Sequence, residues 1–150
     1  MSCPERPTES AGHSLRPVPT CCACIVRDGR LLLIQRAHEP SKGLWSFPGG
    51  RLELGETVFE AIIREVREET SLDIEPLAIF QVYVWITRDD TGRIRFHYLV
   101  NYVQCRYLSG EPHPSSDALQ VHWADEADLA RLPMHPFARK TALRMVRGSG

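Results

Sequence analysis

Five short runs along the chain have the apolar and β-branched composition of strands, and they lie at residues 20–27, 31–36, 79–87, 94–105 and 119–123. Asp28-Gly29 joins the first two runs and is a strong signal for a tight hairpin turn. A helix is predicted early in this series, over residues 57–70, and another near the end, over residues 136–147. This order predicts an α+β fold, an α-β-α sandwich with a mixed β-sheet, rather than a regular βαβ series.

Gly and Pro mark the segments between these elements. Residues 1–17 combine three prolines with Ser, Thr, Glu and Gly, and they predict a flexible N-terminal tail. Residues 37–55 and 109–117 are also rich in Gly and Pro and are predicted to be loops. A chain of 150 residues has room for one domain, which we place at residues 18–147.

Composition and charge narrow the classes of function. Hydrophobic residues make up 43% of the chain and charged residues 25%, which is typical of a globular protein. The formal net charge of -1 gives no overall positive field, so we expect no nucleic-acid polymer as a partner. No apolar run approaches the length of a membrane span, so we expect no membrane partner. No secretory signal is visible and the five cysteines are odd in number, so we expect a cytoplasmic protein with reduced thiols.

Three of the cysteines are clustered in Cys21-Cys22-Ala23-Cys24. A zinc site is one interpretation, but the second ligand pair at finger-like spacing is missing. In an extended strand, Cys22 and Cys24 would share one face and Cys21 would point to the other. We therefore interpret them as small buried residues of a strand.

The predicted early helix carries an unusual distribution of charge. Thr57 and Glu60 have the spacing of a capping box, and an apolar stripe follows at helical spacing. Glu65, Glu68 and Glu69 fall within about 100° of one another beside that stripe. A bound divalent cation explains this crowding, since oxygen ligands suit Mg²⁺ or Mn²⁺. The alternative is an acidic, exposed helix that binds a partner and no metal.

A glycine-containing loop leads into that helix. Residues 44–50 read LWSFPGG, and Gly55 follows shortly before the helix starts. Glycines allow a close approach of the backbone, so a main-chain carbonyl could join the carboxylates as a metal ligand.

Together, the loop and helix resemble the Nudix box, G-x5-E-x7-R-E-U-x-E-E-x-G-U, in which U is a bulky aliphatic residue. The match begins at Gly50 and includes Glu56, Arg64-Glu65 and Glu68-Glu69. One position departs from the pattern, because Ser71 stands where the box has glycine. That glycine ends the helix in a left-handed conformation, which a serine adopts at a cost of about 1 kcal/mol. The resemblance covers roughly residues 18–147.

The resemblance implies metal ligands. Glu65, Glu68 and Glu69 would hold Mg²⁺, with Mn²⁺ as a substitute, and the carbonyl of Gly49 would be a backbone ligand. Arg64 would orient Glu65 and pair with Glu56.

Residues outside the box are candidates for two further roles. Asp117 is the first candidate for a general base and Glu111 the second, although an ordinary loop acid is the favoured interpretation of each. Arg36 and Arg51 could contact phosphate oxygens or lie on the surface as free charges. Several aromatic residues could stack on a base or simply pack across strands, namely Trp45, Phe47, Tyr83, Trp85 and Tyr98.

The resemblance also implies an activity, namely the hydrolysis of a nucleoside diphosphate linked to another moiety. ADP-ribose or a nucleotide sugar is the first candidate for this small-molecule nucleotide substrate. The alternatives are pyrophosphohydrolysis of normal or oxidised NTPs and dNTPs, and a non-catalytic domain that senses a nucleotide. All the box glutamates are present, which favours an enzyme. A homodimer is left open.

Overall fold

The computed structural model describes residues 16–148, so most of the predicted N-terminal tail lies outside the described part of the chain. The elements in chain order are β1 Val18–Arg27, β2 Arg30–Arg36, β3 Trp45–Ser46, β4 Gly49–Arg51, α1 Val58–Thr70, β5 Asp73–Arg88, β6 Ile94–Ser109, β7 Ala118–Ala124, α2 Glu126–Arg131 and α3 Pro136–Gly148. Within these residues, no helix is both long enough and apolar enough to cross a membrane.

Strand β1 is the centre of the sheet. It runs parallel to β6 over residues 18–25 and antiparallel to β2 at its end, where Val26 pairs with Leu31. The main strand order is β3-β2-β1-β6-β5, with β4 also paired to β1 and β7 to β2. One face of the sheet packs on α1, and the other packs on α2 and α3. The predicted α+β sandwich with a mixed sheet is confirmed.

The cysteines of β1 show how the two faces are built. Cys21 packs in the cluster under α1, whereas Cys24 packs in the cluster under α3, with Cys22 at its margin. The thiols are free, and burial raises the pKa of Cys21 to about 12. The interpretation of these residues as parts of a buried strand is confirmed for Cys21 and Cys24.

Strands β5 and β6 are longer than predicted. β5 begins at Asp73 rather than at residue 79, and β6 continues to Ser109 rather than ending at residue 105. The extension of β5 includes Pro76, which an edge strand tolerates. β5 is such an edge, and its register to β6 is irregular after Pro76 and again after Ile79.

The loop predicted over residues 37–55 contains the short strands β3 and β4. Their two and three residues are too few to carry a pattern of their own. They form because β2 and β1 offer neighbouring backbone, with Gly49 paired to Cys22 and Gly50 to Cys21.

Candidate active site

Helix α1 is fixed at both ends by local contacts. The hydroxyl of Thr57 accepts a hydrogen bond from the N–H of Glu60 at 3.1 Å, and the carboxylate of Glu60 accepts one from the N–H of Thr57 at 3.0 Å. This is the predicted capping box. On the sheet side, Ile62 and Val66 are fully buried, so the orientation of the helix about its axis is set by the core.

Ser71 ends the helix in the conformation usually taken by glycine. Its φ and ψ angles are 68° and 13°, and its N–H donates to the carbonyl of Arg67 at 3.0 Å. For a non-glycine residue this left-handed conformation costs about 1 kcal/mol. The departure from the Nudix box therefore costs stability and leaves the end of the helix at Thr70.

Two of the three predicted metal ligands lie together against β4, Glu69 buried and Glu65 partly buried. Glu69 is only 5% exposed, and its Oε1 accepts a hydrogen bond of 3.0 Å from the N–H of Gly49. The carboxyl group of Glu65 shares a hydrogen bond with that of Glu69. The sequence analysis thus located correctly the pair of carboxyl groups and the glycine beside them, whereas their role as ligands stays a prediction.

Glycine is required at both positions of the Gly49-Gly50 pair by close packing. A Cβ atom on Gly49 would lie 2.0 Å from the carbonyl oxygen of Cys21. A Cβ atom on Gly50 would lie 2.6 Å from the carboxyl carbon of Glu65. The first glycine lets β4 pair with β1, and the second leaves room for the carboxyl group of Glu65.

The environment of the two carboxyl groups disfavours their charged forms. The pKa of Glu69 is raised to about 8, mainly by burial and also by the charges of Glu65 and Asp117, against the lowering effect of the hydrogen bond from Gly49. Burial also raises the pKa of Glu65, although the guanidinium of Arg64 opposes this. One buried and one partly buried carboxyl group, lying close together, form a donor set that suits a hard divalent cation, because the cation would compensate both charges.

Arg64 connects the helix to the loop before it. Its guanidinium donates to both carboxylate oxygens of Glu56, at 2.7 and 2.8 Å, and to Glu65 at 2.9 Å. It also donates to the carbonyl of Arg51 at 3.1 Å. The hydrogen bonds from Arg64 and from the N–H of Glu53 lower the pKa of Glu56 to about 2. The predicted pairing of Arg64 with Glu56 and its orientation of Glu65 are both present, and Glu53, at 3.7 Å, is a neighbour that the sequence analysis missed.

Glu68 differs from the other two predicted ligands. Its side chain is 58% exposed and lies 3.3 Å from the guanidinium of Arg64. Among the residues that the structure describes, no three His, Cys, Asp or Glu side chains are already gathered in the geometry of a metal site. The carboxyl groups of Glu65 and Glu69 therefore lie together, whereas the side chain of Glu68 is largely exposed to solvent.

A cavity of about 330 Å³ begins at the glycine pair. Gly49 and Gly50 line it, together with the two predicted phosphate contacts, Arg36 and Arg51. Arg36 is steadied by a hydrogen bond of 2.9 Å from its Nε to the carbonyl of Pro40. The guanidinium of Arg51 lies 5.9 Å from the centre of the Tyr98 ring. The structure thus places both arginines at the cavity.

The rest of the cavity wall is mainly aromatic. All five aromatic residues singled out from the sequence line it, namely Trp45, Phe47, Tyr83, Trp85 and Tyr98. The sequence analysis missed His135 and Phe137, which enter from the start of α3. The rings of Tyr83 and Phe137 stack at 3.8 Å, and Trp85 lies 5.9 Å from His135. No local signal could have shown this, since α3 follows β5 by some fifty residues.

The two candidate bases lie in the loop between β6 and β7. Asp117 is exposed, and one of its oxygens lies 3.2 Å from Nε2 of His38, a contact that the sequence analysis missed. Its backbone carbonyl accepts a hydrogen bond from the N–H of Ala37 at 3.2 Å. Glu111 is also exposed in the same loop. Asp117 is close enough to the carboxyl pair for its charge to raise the pKa of Glu69.

This fold and site agree with the result of comparing the chain with known families. The model of the NUDIX domain matches residues 16–145, which is most of the chain. The chain therefore belongs to the Nudix family and is a Nudix hydrolase, and enzymes of this family generally use divalent metal ions.

Two relatives within the family are similar to this chain over most of its length. The chain is 34% identical over 118 residues to an ADP-ribose pyrophosphatase of Methanocaldococcus jannaschii, covering 79% of this chain and 68% of the relative. It is 34% identical over 110 residues to the phosphatase NudJ of Shigella boydii, covering 73% and 69%.

Solved structures with a similar fold also include Nudix-type proteins. An ADP-ribose pyrophosphatase from Streptococcus suis is 26% identical, with a TM-score of 0.64 over 89% of this chain and 92% of that one. A MutT Nudix hydrolase from Burkholderia pseudomallei is 31% identical, with a TM-score of 0.66 over 87% and 98%.

Proposed function

We propose that this protein hydrolyses the diphosphate linkage of a nucleoside diphosphate derivative in a Mg²⁺-dependent reaction, with ADP-ribose or a nucleotide sugar as the substrate. The observation that carries this proposal is the pair of Glu65 and Glu69, packed on Gly49-Gly50 where an aromatic cavity begins. The carboxyl groups that would bind the metal thus lie next to a cavity that could hold a nucleoside.

The donor set fits a magnesium ion held by Glu65, Glu68, Glu69 and the carbonyl of Gly49. A bound divalent cation would neutralise charge on the diphosphate and lower the pKa of a water molecule. Glu65 is oriented by Arg64, which in turn is fixed by Glu56. Mn²⁺ would serve as a substitute, since it takes the same oxygen ligands.

The arginines and aromatic rings supply the binding of the substrate. Arg36 and Arg51 offer guanidinium groups to phosphate oxygens, which they can bind through two hydrogen bonds each. Tyr83, Trp85 and Tyr98 provide flat apolar surface on which a nucleobase can stack. The partner is thus a small molecule that combines a charged diphosphate with an apolar ring.

The names of two relatives support ADP-ribose as the first candidate. The M. jannaschii relative and the S. suis structure are both named ADP-ribose pyrophosphatases. A second candidate is the pyrophosphohydrolysis of NTPs or dNTPs, including oxidised ones. The observation that favours it is the similarity to proteins with other names, a phosphatase NudJ and a MutT Nudix hydrolase.

Asp117 is our candidate for the general base. His38 lies 3.2 Å from its carboxylate and would hold it in place at the margin of the site. The negative charge of Asp117 contributes to the raised pKa of Glu69, as expected for a carboxylate near the pair. Glu111 is the second candidate.

A substrate panel would test the proposal. ADP-ribose, nucleotide sugars, NADH, diadenosine polyphosphates, and normal and oxidised dNTPs are incubated with Mg²⁺ or Mn²⁺, and the products are separated. We expect AMP and ribose 5-phosphate from ADP-ribose. Release of pyrophosphate from a dNTP at a higher kcat/KM would favour the second candidate, and no turnover of any compound would contradict both.

Binding of metal is tested separately from turnover. Since a ligand that binds only the folded state stabilises it, the melting temperature should rise with Mg²⁺ and fall with EDTA. Glu65→Gln should reduce this rise, whereas Glu126→Gln, which removes an exposed carboxylate on α2, should leave it unchanged. A rise that persists in Glu65→Gln would exclude Glu65 as a ligand.

A further inference from the structure

Three of the five aromatic residues that line the cavity are already engaged within the protein. Trp45 and Phe47 are only 7% and 4% exposed, so the core holds their rings. Tyr83 stacks on Phe137, with the ring centres 3.8 Å apart and the planes 16° apart, so one face of its ring is covered. Because a nucleobase needs an open ring face on which to stack, the other two aromatic residues offer it more surface.

Of these two, Trp85 has the more open ring. The guanidinium of Arg51 lies 5.9 Å from the centre of the Tyr98 ring and donates to the Tyr98 hydroxyl at 3.5 Å, so Tyr98 belongs to the phosphate end of the cavity. Trp85 is half-buried, and its ring neighbours Tyr98 and His135 are tilted from it by 39° and 53°. Neither neighbour covers the indole in a parallel stack, so a base can lie flat on Trp85.

The side chain of His135 is oriented by the start of α3. Its Nδ1 accepts a hydrogen bond of 3.3 Å from the N–H of Phe137, and its carbonyl accepts one of 3.0 Å from the N–H of Arg139. His135 is therefore the N-cap of α3. A neutral imidazole that accepts at Nδ1 carries its proton on Nε2. Within residues 16–148, no hydrogen bond occupies Nε2, so this N–H is available to a ligand.

His135 is also placed at the right end of the cavity for a base. Its ring centre lies 5.9 Å from that of Trp85, which in turn lies 5.7 Å from Tyr98 beside Arg51. A base that lies flat on Trp85 is tilted from the imidazole as the indole is, so it does not stack on His135 and meets its N–H instead. Guanidinium, aromatic surface and N–H donor thus follow one another in the order of phosphate, nucleoside and base edge.

We propose that His135 is a specificity-determining residue, whose Nε2–H donates to a ring nitrogen of an adenine stacked on Trp85. Adenine offers only ring nitrogens as acceptors, namely N1, N3 and N7. A base without an acceptor at this edge is disfavoured, because the N–H would give up water without gaining a partner. The inference rests on the proposed function, in which ADP-ribose is the first candidate substrate.

The first test measures the binding of ADP with Mg²⁺ by titration calorimetry, since ADP contains the adenosine and the diphosphate of ADP-ribose. His135→Asn keeps a side chain that caps the helix but is too short to place a donor at the position of Nε2. We expect an unchanged melting temperature and a Kd raised about 3- to 10-fold, the effect of one neutral hydrogen bond. His97→Asn is the matched control, since His97 precedes Tyr98 on β6 and points to the opposite face of the sheet. It should bind ADP as the unaltered chain does.

The second test identifies the acceptor atom. Three analogues of ADP replace N1, N3 or N7 of the adenine by C–H. We expect one of them to bind the unaltered chain about 3- to 10-fold more weakly than ADP does. That loss should disappear in His135→Asn, because the donor is already absent, whereas the other two analogues should behave alike in both proteins.

Two further variants separate recognition from stability. His135→Ala removes both the cap and the donor, so it should lower the melting temperature and weaken ADP binding as much as His135→Asn does. Trp85→Ala should raise the Kd for ADP about 5- to 150-fold, the range expected when a base loses its stacking partner. Should His135→Asn fail to fold, His135→Ser, which carries another side chain that caps helices, takes its place.

The inference is overturned if the unaltered chain does not bind ADP, if the Asn or Ser variant or Trp85→Ala binds ADP normally, or if no analogue distinguishes the two proteins. Normal binding by the Asn variant would show that His135 acts only as a cap. These measurements need no turnover, so they are independent of the substrate panel. Hydrolysis of ADP-ribose with normal ADP binding in His135→Asn would refute the role of His135 alone. Weakened binding in that variant, with no hydrolysis of any compound by the unaltered chain, would support the adenine contact and contradict the proposed reaction.

Discussion

Replacing Glu69 with Gln should stabilise the metal-free protein at high pH while removing its activity. The substitution keeps the size of the side chain and an oxygen that can accept from the N–H of Gly49. It removes a buried negative charge in contact with Glu65. Glutamine can also donate a hydrogen bond to that neighbouring carboxylate, so no buried polar atom loses its partner.

The magnitude follows from the pKa of Glu69, which is raised from 4.5 to about 8. Because the folded state holds the proton more tightly than the unfolded state, the group lowers stability progressively as pH rises from about 4.5 to 8. At about 1.36 kcal/mol per pKa unit, the full effect at pH 8 is roughly 5 kcal/mol, and it vanishes below pH 4.5. Water entering the site would relieve part of this, so we expect about 2–5 kcal/mol.

The assay is thermal denaturation in EDTA at several pH values. For a chain of this length the expected gain at pH 8 is at least about 5 °C in melting temperature, falling towards zero near pH 4.5. Glu68→Gln is the matched control, since it removes a 58% exposed carboxylate from the same helix and should give a small difference throughout. With Mg²⁺, the unaltered protein should gain more than Glu69→Gln, whose turnover should fall by orders of magnitude. No gain at pH 8 without metal, or near-normal turnover, would refute this reasoning.

Three further substitutions test single features of the site. Ser71→Gly relieves about 1 kcal/mol of strain and adds flexibility to the unfolded chain, so the free energy of unfolding should rise by about 0.5 kcal/mol in urea denaturation; a decrease would contradict the assigned helix end. Gly50→Ala should abolish the Mg²⁺-dependent rise in melting temperature by displacing Glu65, whereas Gly49→Ala should unfold the protein at lower temperature; equal effects would contradict the two roles. Asp117→Asn should lower kcat and remove the acidic limb of the pH–rate profile, and an unchanged profile would exclude it as the base.

The sequence predicted those parts of the fold that local contacts specify. The capping box at Thr57 and the turn at Asp28-Gly29 each act within a few residues, and the structure has both. The grouping of Glu65 and Glu69 could be predicted for the same reason, since helix geometry alone places them one turn apart. The exposure of Glu68 could not, because it depends on where the core lies relative to the helix.

Other parts of the site depend on contacts between distant segments. The cavity is closed by residues of β6 and α3, and the ion pair of His38 with Asp117 joins two loops far apart in sequence. The spacing of apolar residues along the sequence does not predict contacts between such distant segments. The start of β5 is a similar case, because Pro76 is acceptable there only at the edge of the sheet.

The charges around α1 support our proposal that the pair of Glu65 and Glu69 binds a cation from outside the chain. Arg64 contacts Glu53, Glu56, Glu65 and Glu68, so one positive charge is shared among four carboxylates. Its two shortest hydrogen bonds go to Glu56, which stabilises the loop before the helix. Burial raises the pKa of both Glu65 and Glu69, and Arg64 offsets only part of this effect for Glu65. A divalent ion held by both carboxylates would supply this compensation, so we expect the ion to stabilise the folded protein.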